Sequence, residues 1–284
     1  MVMRLAMVWL AAAAICLAQP RRIVSTAPSI TEMLYALGLG GRVAGVTTFC
    51  RYPPEAAAKP KIGNYLRPNA ETILSLRPDL VIVESSMLHQ NGALSRLGLN
   101  LLEVNDSTVD GIYQSVRSIG RAAGVPARAE QVCSRTKREL EGLRERTRNL
   151  PRLRVLFVVG RTPGRLEDLI AAGAGSYLGE LIELAGGRNA FHDAVVPYSR
   201  VSLEEVLSRN PDVIIDMGEM ARAGGVSEEE KRGVAALWGR NPTLRAVRSG
   251  RVFAVASDIF VVPGPRVAEA ARRIAALLHP EAVE

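Results

Sequence analysis

Residues 69–83 read NAETILSLRPDLVIV and residues 202–216 read SLEEVLSRNPDVIID. Aligned, Glu71 falls on Glu204, Leu74 on Leu207 and Pro78-Asp79 on Pro211-Asp212, and an aliphatic run follows in each. A polar cap, a short amphipathic helix, a Pro-Asp turn and a buried strand make one unit, used once in each half of the chain. Upstream, SITEMLYALGLGGR (29–42) is echoed by SYLGELIELAGGR (176–188), an amphipathic helix closed by a glycine pair and then arginine. Two similar halves predict two lobes, and clefts at such interfaces are where small molecules are usually held.

Outward from the repeat, strands and helices alternate. Strands are predicted at 22–26, 43–48, 80–83 and 101–104. Helices are predicted from Ser29 to Leu37, opened by the capping-box spacing Ser29-x-x-Glu32, from the Asn69 cap to Leu76, and over 92–97. Such βα alternation implies parallel sheet with helices on its faces. From Val109 to Asn149 the pattern is helical, broken only at Gly124-Val125-Pro126; past Pro151 come a strand at 154–159, the repeated unit, a strand at 251–255 and a helix at 265–278. The expected fold class is therefore α/β: two similar βα lobes, 19–125 and 151–284, joined by one long backbone helix, 126–150, with a ligand cleft between them.

The N-terminus predicts the compartment. Residues 1–18 have a short positive start, an apolar run from Leu5 to Leu17 and a small-x-small site, Cys16-Leu17-Ala18, which read as a cleaved signal peptide and imply a periplasmic protein. Lipidation at Cys16 is the alternative, with the bulky Ile15 before it a poor fit. Cys50 and Cys133 remain, one in a loop and one in a helical pattern, and the sequence leaves open whether they pair. The net charge of +7 is spread among carboxylates, as in RTKRELEGLRERTR, which describes a solvated helix face and predicts no nucleic-acid partner.

Enzyme chemistry finds little support. The run Gly160-Arg161-Thr162-Pro163-Gly164 lacks the spacing of a phosphate loop, and no serine sits in a nucleophile-elbow context. Three histidines, His89, His192 and His279, are too few for a zinc or manganese site built on several imidazoles, so neither a resident metal nor a cofactor is expected. His279 follows the last helix and is expected to face solvent; His89 could reach a cleft and ligate a metal axially, though a lone histidine is more often structural.

The doubled Glu-helix-Pro-Asp-strand unit, the single long helix, the opening RIVSTAPSITEMLYALG and the exported context resemble the class III periplasmic binding proteins of ABC importers. That family carries cobalamin, ferric siderophores and haem. Four segments look like its cobalamin-binding member: Tyr52-Pro53-Pro54, Tyr65 ahead of Glu71, Val196-Pro197-Tyr198, and Ser257-Asp258 with Phe260, Pro265 and Arg266. The resemblance implies a monomeric receptor that hands a corrinoid to a permease dimer, with ferric siderophore or haem as the alternative ligand. It places Phe49, Tyr52, Tyr65, Tyr198, Asp258 and Phe260 around the ligand, and Glu71 and Glu204 as the carboxylates that dock on the permease.

Elementary chemistry suits these assignments. A macrocycle needs aromatic planes for its faces and a few polar groups for its rim, and these five rings lie in loops beyond strands or before helices, where crevices of open α/β sheets are lined. The plainer alternatives are that each ring packs on its own lobe, that Asp258 is a local cap, and that Glu71 and Glu204 favour the positive end of a helix dipole. Arg67, Arg161, Arg165 and Arg200, near the same loops, and the hydroxyls of Tyr65 and Tyr198 would suit an anionic ferric chelate or a haem better than a neutral corrin.

Overall fold

A computed structural model describes residues 19–90, 94–194, 196–218 and 226–282, with the side chains of 88–90 and 282 excepted. The expected export signal, Cys16 and part of the 92–97 prediction lie outside these residues, as does the His89 side chain.

The N-terminal half runs β1 (Ile23–Ser25), α1 (Pro28–Ala36), β2 (Val43–Gly45), α2 (Pro54–Ala57), α3 (Ala70–Ser75), β3 (Leu80–Glu84), α4 (Ser85–Gln90), β4 (Leu101–Val104) and α5 (Val109–Ala122). Its four strands form one wholly parallel sheet in the order β2-β1-β3-β4. Helix α6 (Pro126–Thr147) follows. The second half runs β5 (Leu153–Gly160), β6 (Leu169–Ala172), α7 (Tyr177–Leu184), β7 (Gly187–Asn189), β8 (Tyr198–Val201), α8 (Leu203–Arg209), β9 (Val213–Asp216), α9 (Glu228–Gly239), α10 (Arg245–Arg248), β10 (Val252–Ala254) and α11 (Val267–Leu278). Its sheet has the order β10-β9-β5-β6-β8, with β7 also on β5.

The central strands of both sheets, β1, β3, β5 and β9, are buried on both faces, which is why β3, β5 and β9 read as nearly unbroken aliphatic runs. Side chains alternate along a strand. In β3, Leu80 and Ile82 enter the large core shared with α1, α5 and α6, while Val81 and Val83 enter a smaller one with Ile62 and Ile73 of the α3 side. In β5, Val155, Phe157 and Val159 face the large core; Leu156 and Val158 pack on Val206 and Trp238.

Helix α6 joins the halves. Its buried residues, Ala129, Cys133, Thr136, Leu140, Leu143 and Thr147, recur at three and four and so form one stripe. The first turns lie on α5, where Gly120 comes so close that a Cβ there would stand 2.5 Å from that of Ala129. Later turns reach the second half through Glu139 to Arg272 of α11 at 3.0 Å and Thr147 Oγ1 to the Leu184 carbonyl of α7 at 3.0 Å.

The duplication seen in the sequence is a structural one. Asn69 and Ser202 cap α3 and α8 by accepting from the N–H three residues on. Arg77 and Asn210 then turn the chain in the left-handed region, φ 46° and 44°. Asp79 and Asp212 receive the backbone N–H groups of Arg22 and Arg154 at 2.7 and 2.8 Å.

Several expectations are corrected. Strands β6 and β8 are antiparallel to their neighbours, because Thr162 to Glu167 closes a hairpin after β5 where a crossover was expected. The Ser29-x-x-Glu32 spacing is not a capping box: α1 begins at Pro28, whose missing N–H needs no partner, and Glu32 points elsewhere. His279 is 3% exposed, its Nε2 toward the Gly186 carbonyl at 3.4 Å, so it seals the end of α11 instead of facing water. Cys50 and Cys133 are buried and free.

Candidate ligand cleft

The carboxyl ends of β3 and β4 carry Glu84 and, two residues past β4, Asp106. Both are buried. Tyr65, in the loop before α3, donates its hydroxyl to Glu84 Oε2 at 2.6 Å, and Ser86 donates to the same oxygen at 2.5 Å. Burial, reinforced by the hydrogen bond to Glu84, holds the Tyr65 phenol above its ordinary range. Asp106 is pushed up to about 6 by burial and by the charge of Glu84, against a hydrogen bond from Ser29; its Oδ2 is buried without a partner.

The second half meets this floor through tyrosines. Tyr177, at the start of α7, donates its backbone N–H to the Ser107 carbonyl at 2.8 Å and its hydroxyl to the Phe260 carbonyl. Tyr198, opening β8, interacts through its hydroxyl with that of Tyr177, and both lie within the field of Asp106. Tyr65, Glu84, Asp106, Tyr177 and Tyr198 thus form one phenol–carboxylate cluster spanning the two lobes.

A second contact spans the lobes beside Tyr52. Arg266, just before α11, gives Nε to Glu32 Oε2 of α1 at 2.9 Å and Nη2 to Glu32 Oε1; it also pairs with Asp258 at 3.3 Å. The guanidinium lies 4.0 Å from the centroid of the Tyr52 ring, a cation–π contact. Burial pushes Glu32 up to about 7 despite the pull of Arg266. A groove of about 810 Å³ lined by Tyr35, Arg128 and Glu139 shares Glu32, Tyr52 and Arg266 with this contact.

The structure treats the expected site residues differently. Phe49, Tyr52 and Tyr198 are 49%, 44% and 42% exposed, and Leu66 and Val196 are exposed as well. Tyr65 is half-buried and held by Glu84. Phe260 departs from its expected place: it is 2% exposed, its ring edge-on to Phe157 at 5.6 Å, so it belongs to the core and offers only its carbonyl to the interface. Asp258 is engaged by Arg266. Glu71 and Glu204 are exposed on the first turns of α3 and α8.

Three of the four arginines are already paired. Arg161 is buried against Asp216 at 2.9 Å, in a network completed by Trp238 Nε1 at 2.7 Å and the Gly218 N–H at 2.6 Å. Arg165 pairs with Glu167 and Arg200 with Asp168. Arg67 is exposed. Glu32, Glu84, Asp106 and Tyr177 were not among the expected site residues; a carboxylate at a strand end was the available signal for Glu84. Among the described residues no group of His, Cys, Asp and Glu could hold a metal ion, and no helix is long and apolar enough to cross a membrane.

Two α/β lobes bridged by a single helix, with the part-exposed rings of Tyr52 and Tyr198 where the lobes meet, suit a receptor for a small molecule. The sequence pattern of the periplasmic binding protein family matches residues 23–259, and the chain belongs to that family. It is 32% identical over 272 residues to an uncharacterised ABC transporter substrate-binding lipoprotein of Bacillus subtilis, YvrC, covering 93% of this chain and 81% of the relative. The fold is similar to the crystal structure of the periplasmic vitamin B12 binding protein BtuF of Vibrio cholerae, with TM-score 0.76, 28% identity, and 92% and 97% of the two chains covered. It is also similar to the periplasmic heme-binding protein RhuT from Roseiflexus sp. RS-1, with TM-score 0.73, 29% identity, and 93% and 99% covered. The chain is a substrate-binding protein of the ABC transporter class.

Proposed function

We propose that the protein is exported, captures a corrinoid one to one in the interlobe cleft without changing it chemically, and delivers it to the permease of an ABC importer. The observation that carries this reading is the pairing of part-exposed rings with buried carboxylates. Phe49, Tyr52 and Tyr198 are part-exposed, drawn from both lobes, Glu84 and Asp106 are buried beside Tyr65 and Tyr198, and Arg161, Arg165 and Arg200 each already have a carboxylate partner. Ring faces suit the apolar faces of a macrocycle. Carboxylates suit the amide N–H donors that fringe a corrin, and repel the carboxylates of a haem or an anionic ferric chelate.

A second reading, a ferric haem, has one observation in its favour: the Tyr65 phenol already donates to Glu84, a base placed to take its proton if the oxygen ligates ferric iron. Absorption spectra separate the two. After incubation and desalting, the protein should retain cobinamide bands at one equivalent and no haemin bands. Retained haemin whose spectrum changes on Tyr65→Phe would replace the corrinoid reading with the haem one.

A further inference from the structure

Seven large apolar side chains are exposed among the described residues. Phe49, Tyr52, Leu66, Val196 and Tyr198 belong to the cleft loops; the other two are Leu74 and Leu207, 44% and 36% exposed. These are equivalent positions of the repeat. Each follows an exposed glutamate by three residues and so shares its helix face: Glu71 with Leu74 on α3, Glu204 with Leu207 on α8. A single bare leucine needs no explanation. The same leucine left part-exposed at the same place in both lobes is another matter, since Ile73 and Val206, one residue earlier, are the fully buried anchors of the two helices. The same cap and the same left-handed turn bound the helix in each lobe.

We propose that Leu74 and Leu207, each beside its glutamate, are a pair of apolar knobs that seat the protein on the two transmembrane subunits of its ABC importer, each subunit offering a shallow apolar pocket edged by a cation. The inference rests on the receptor reading above and adds an apolar component to the contact. A face displayed twice, once per lobe, fits a partner that presents one surface twice through two-fold symmetry. The carboxylates call for a positive rim and set approach and register, whereas apolar burial at the centre of a contact chiefly slows dissociation.

The test uses the full mature chain and the cognate importer, transmembrane dimer with its ATPases, reconstituted in nanodiscs, with binding followed by biolayer interferometry at two salt concentrations. Leu74→Asn and Leu207→Asn should each weaken binding roughly fivefold or more, and the pair considerably more, through faster dissociation. Their dependence on salt should match that of the wild type, whereas Glu71→Gln with Glu204→Gln should flatten it. The leucine variants must keep the wild-type melting temperature and cobinamide affinity, as exposed positions should. Equal binding by the double leucine variant overturns the proposal and leaves the receptor reading intact; no binding by the wild type removes both. A concentration-dependent dimer of the wild type that the leucine variants abolish would make a second copy of this chain the occupant, and also overturns it.

Discussion

Replacing Asp106 by Asn should stabilise the empty protein, and by an amount that depends on pH. The carboxyl titrates at about 6 in the folded chain against 3.8 ordinarily, because burial and the neighbouring Glu84 disfavour its charge. At about 1.36 kcal/mol per unit, the ionised form costs the fold up to about 3 kcal/mol above pH 7. The sign follows from the direction of the shift: a raised carboxyl contributes its stability at low pH and loses it as pH rises through 6. Asn keeps an acceptor for the Ser29 hydroxyl and carries no charge. Urea titration should therefore show Asp106→Asn more stable than the wild type by about 1–3 kcal/mol at pH 8, with the gap closing toward zero near pH 4. Cobinamide affinity should fall in the same variant, since the site loses one of its buried carboxylates. A gain that is absent at pH 8, or the same at pH 4, would refute the placement of a buried, ionisable carboxylate with one unpartnered oxygen near Glu84.

Three further outcomes follow from the site. Tyr198→Ala should weaken corrinoid binding by about 1–3 kcal/mol and leave the melting temperature of the empty protein nearly unchanged, read by calorimetry and thermal denaturation. Phe260→Ala should do the reverse, costing about 3–5 kcal/mol of stability in urea titration, because its ring fills the core against Phe157. Arg266→Met strands Glu32 in the lobe interface; its cost, about 3 kcal/mol at pH 8, should shrink at pH 5.5, where Glu32, ordinarily at 4.5 and here at about 7, is protonated.

What the sequence discloses is local or repeated. The Asn69 and Ser202 caps, the break before Pro126 and the two Pro-Asp turns are set by residues within a few positions of each other, and the structure has each of them. The interlobe chemistry is of another kind. Glu32 has the spacing of a cap yet finds Arg266, 234 residues away, and no short-range pattern announces such a partner. Phe260 reads as a loop ring because it sits between a strand and a helix, but a tight turn tucks it under α11 against Phe157. Arg161 looks like a free cation until β9 brings Asp216 beside it. The antiparallel pair β6 and β8 was hidden because its strands are four residues long and flanked by glycine and proline, which read as loop.

The central claim is the ligand, and titration calorimetry of the purified mature protein tests it most directly, with cobinamide, haemin and a ferric siderophore run side by side. Cobinamide should give heat that saturates at one equivalent, and the two anionic chelates weak or absent binding. Silence with cobinamide alongside tight one-to-one binding of haemin or the ferric siderophore would contradict it.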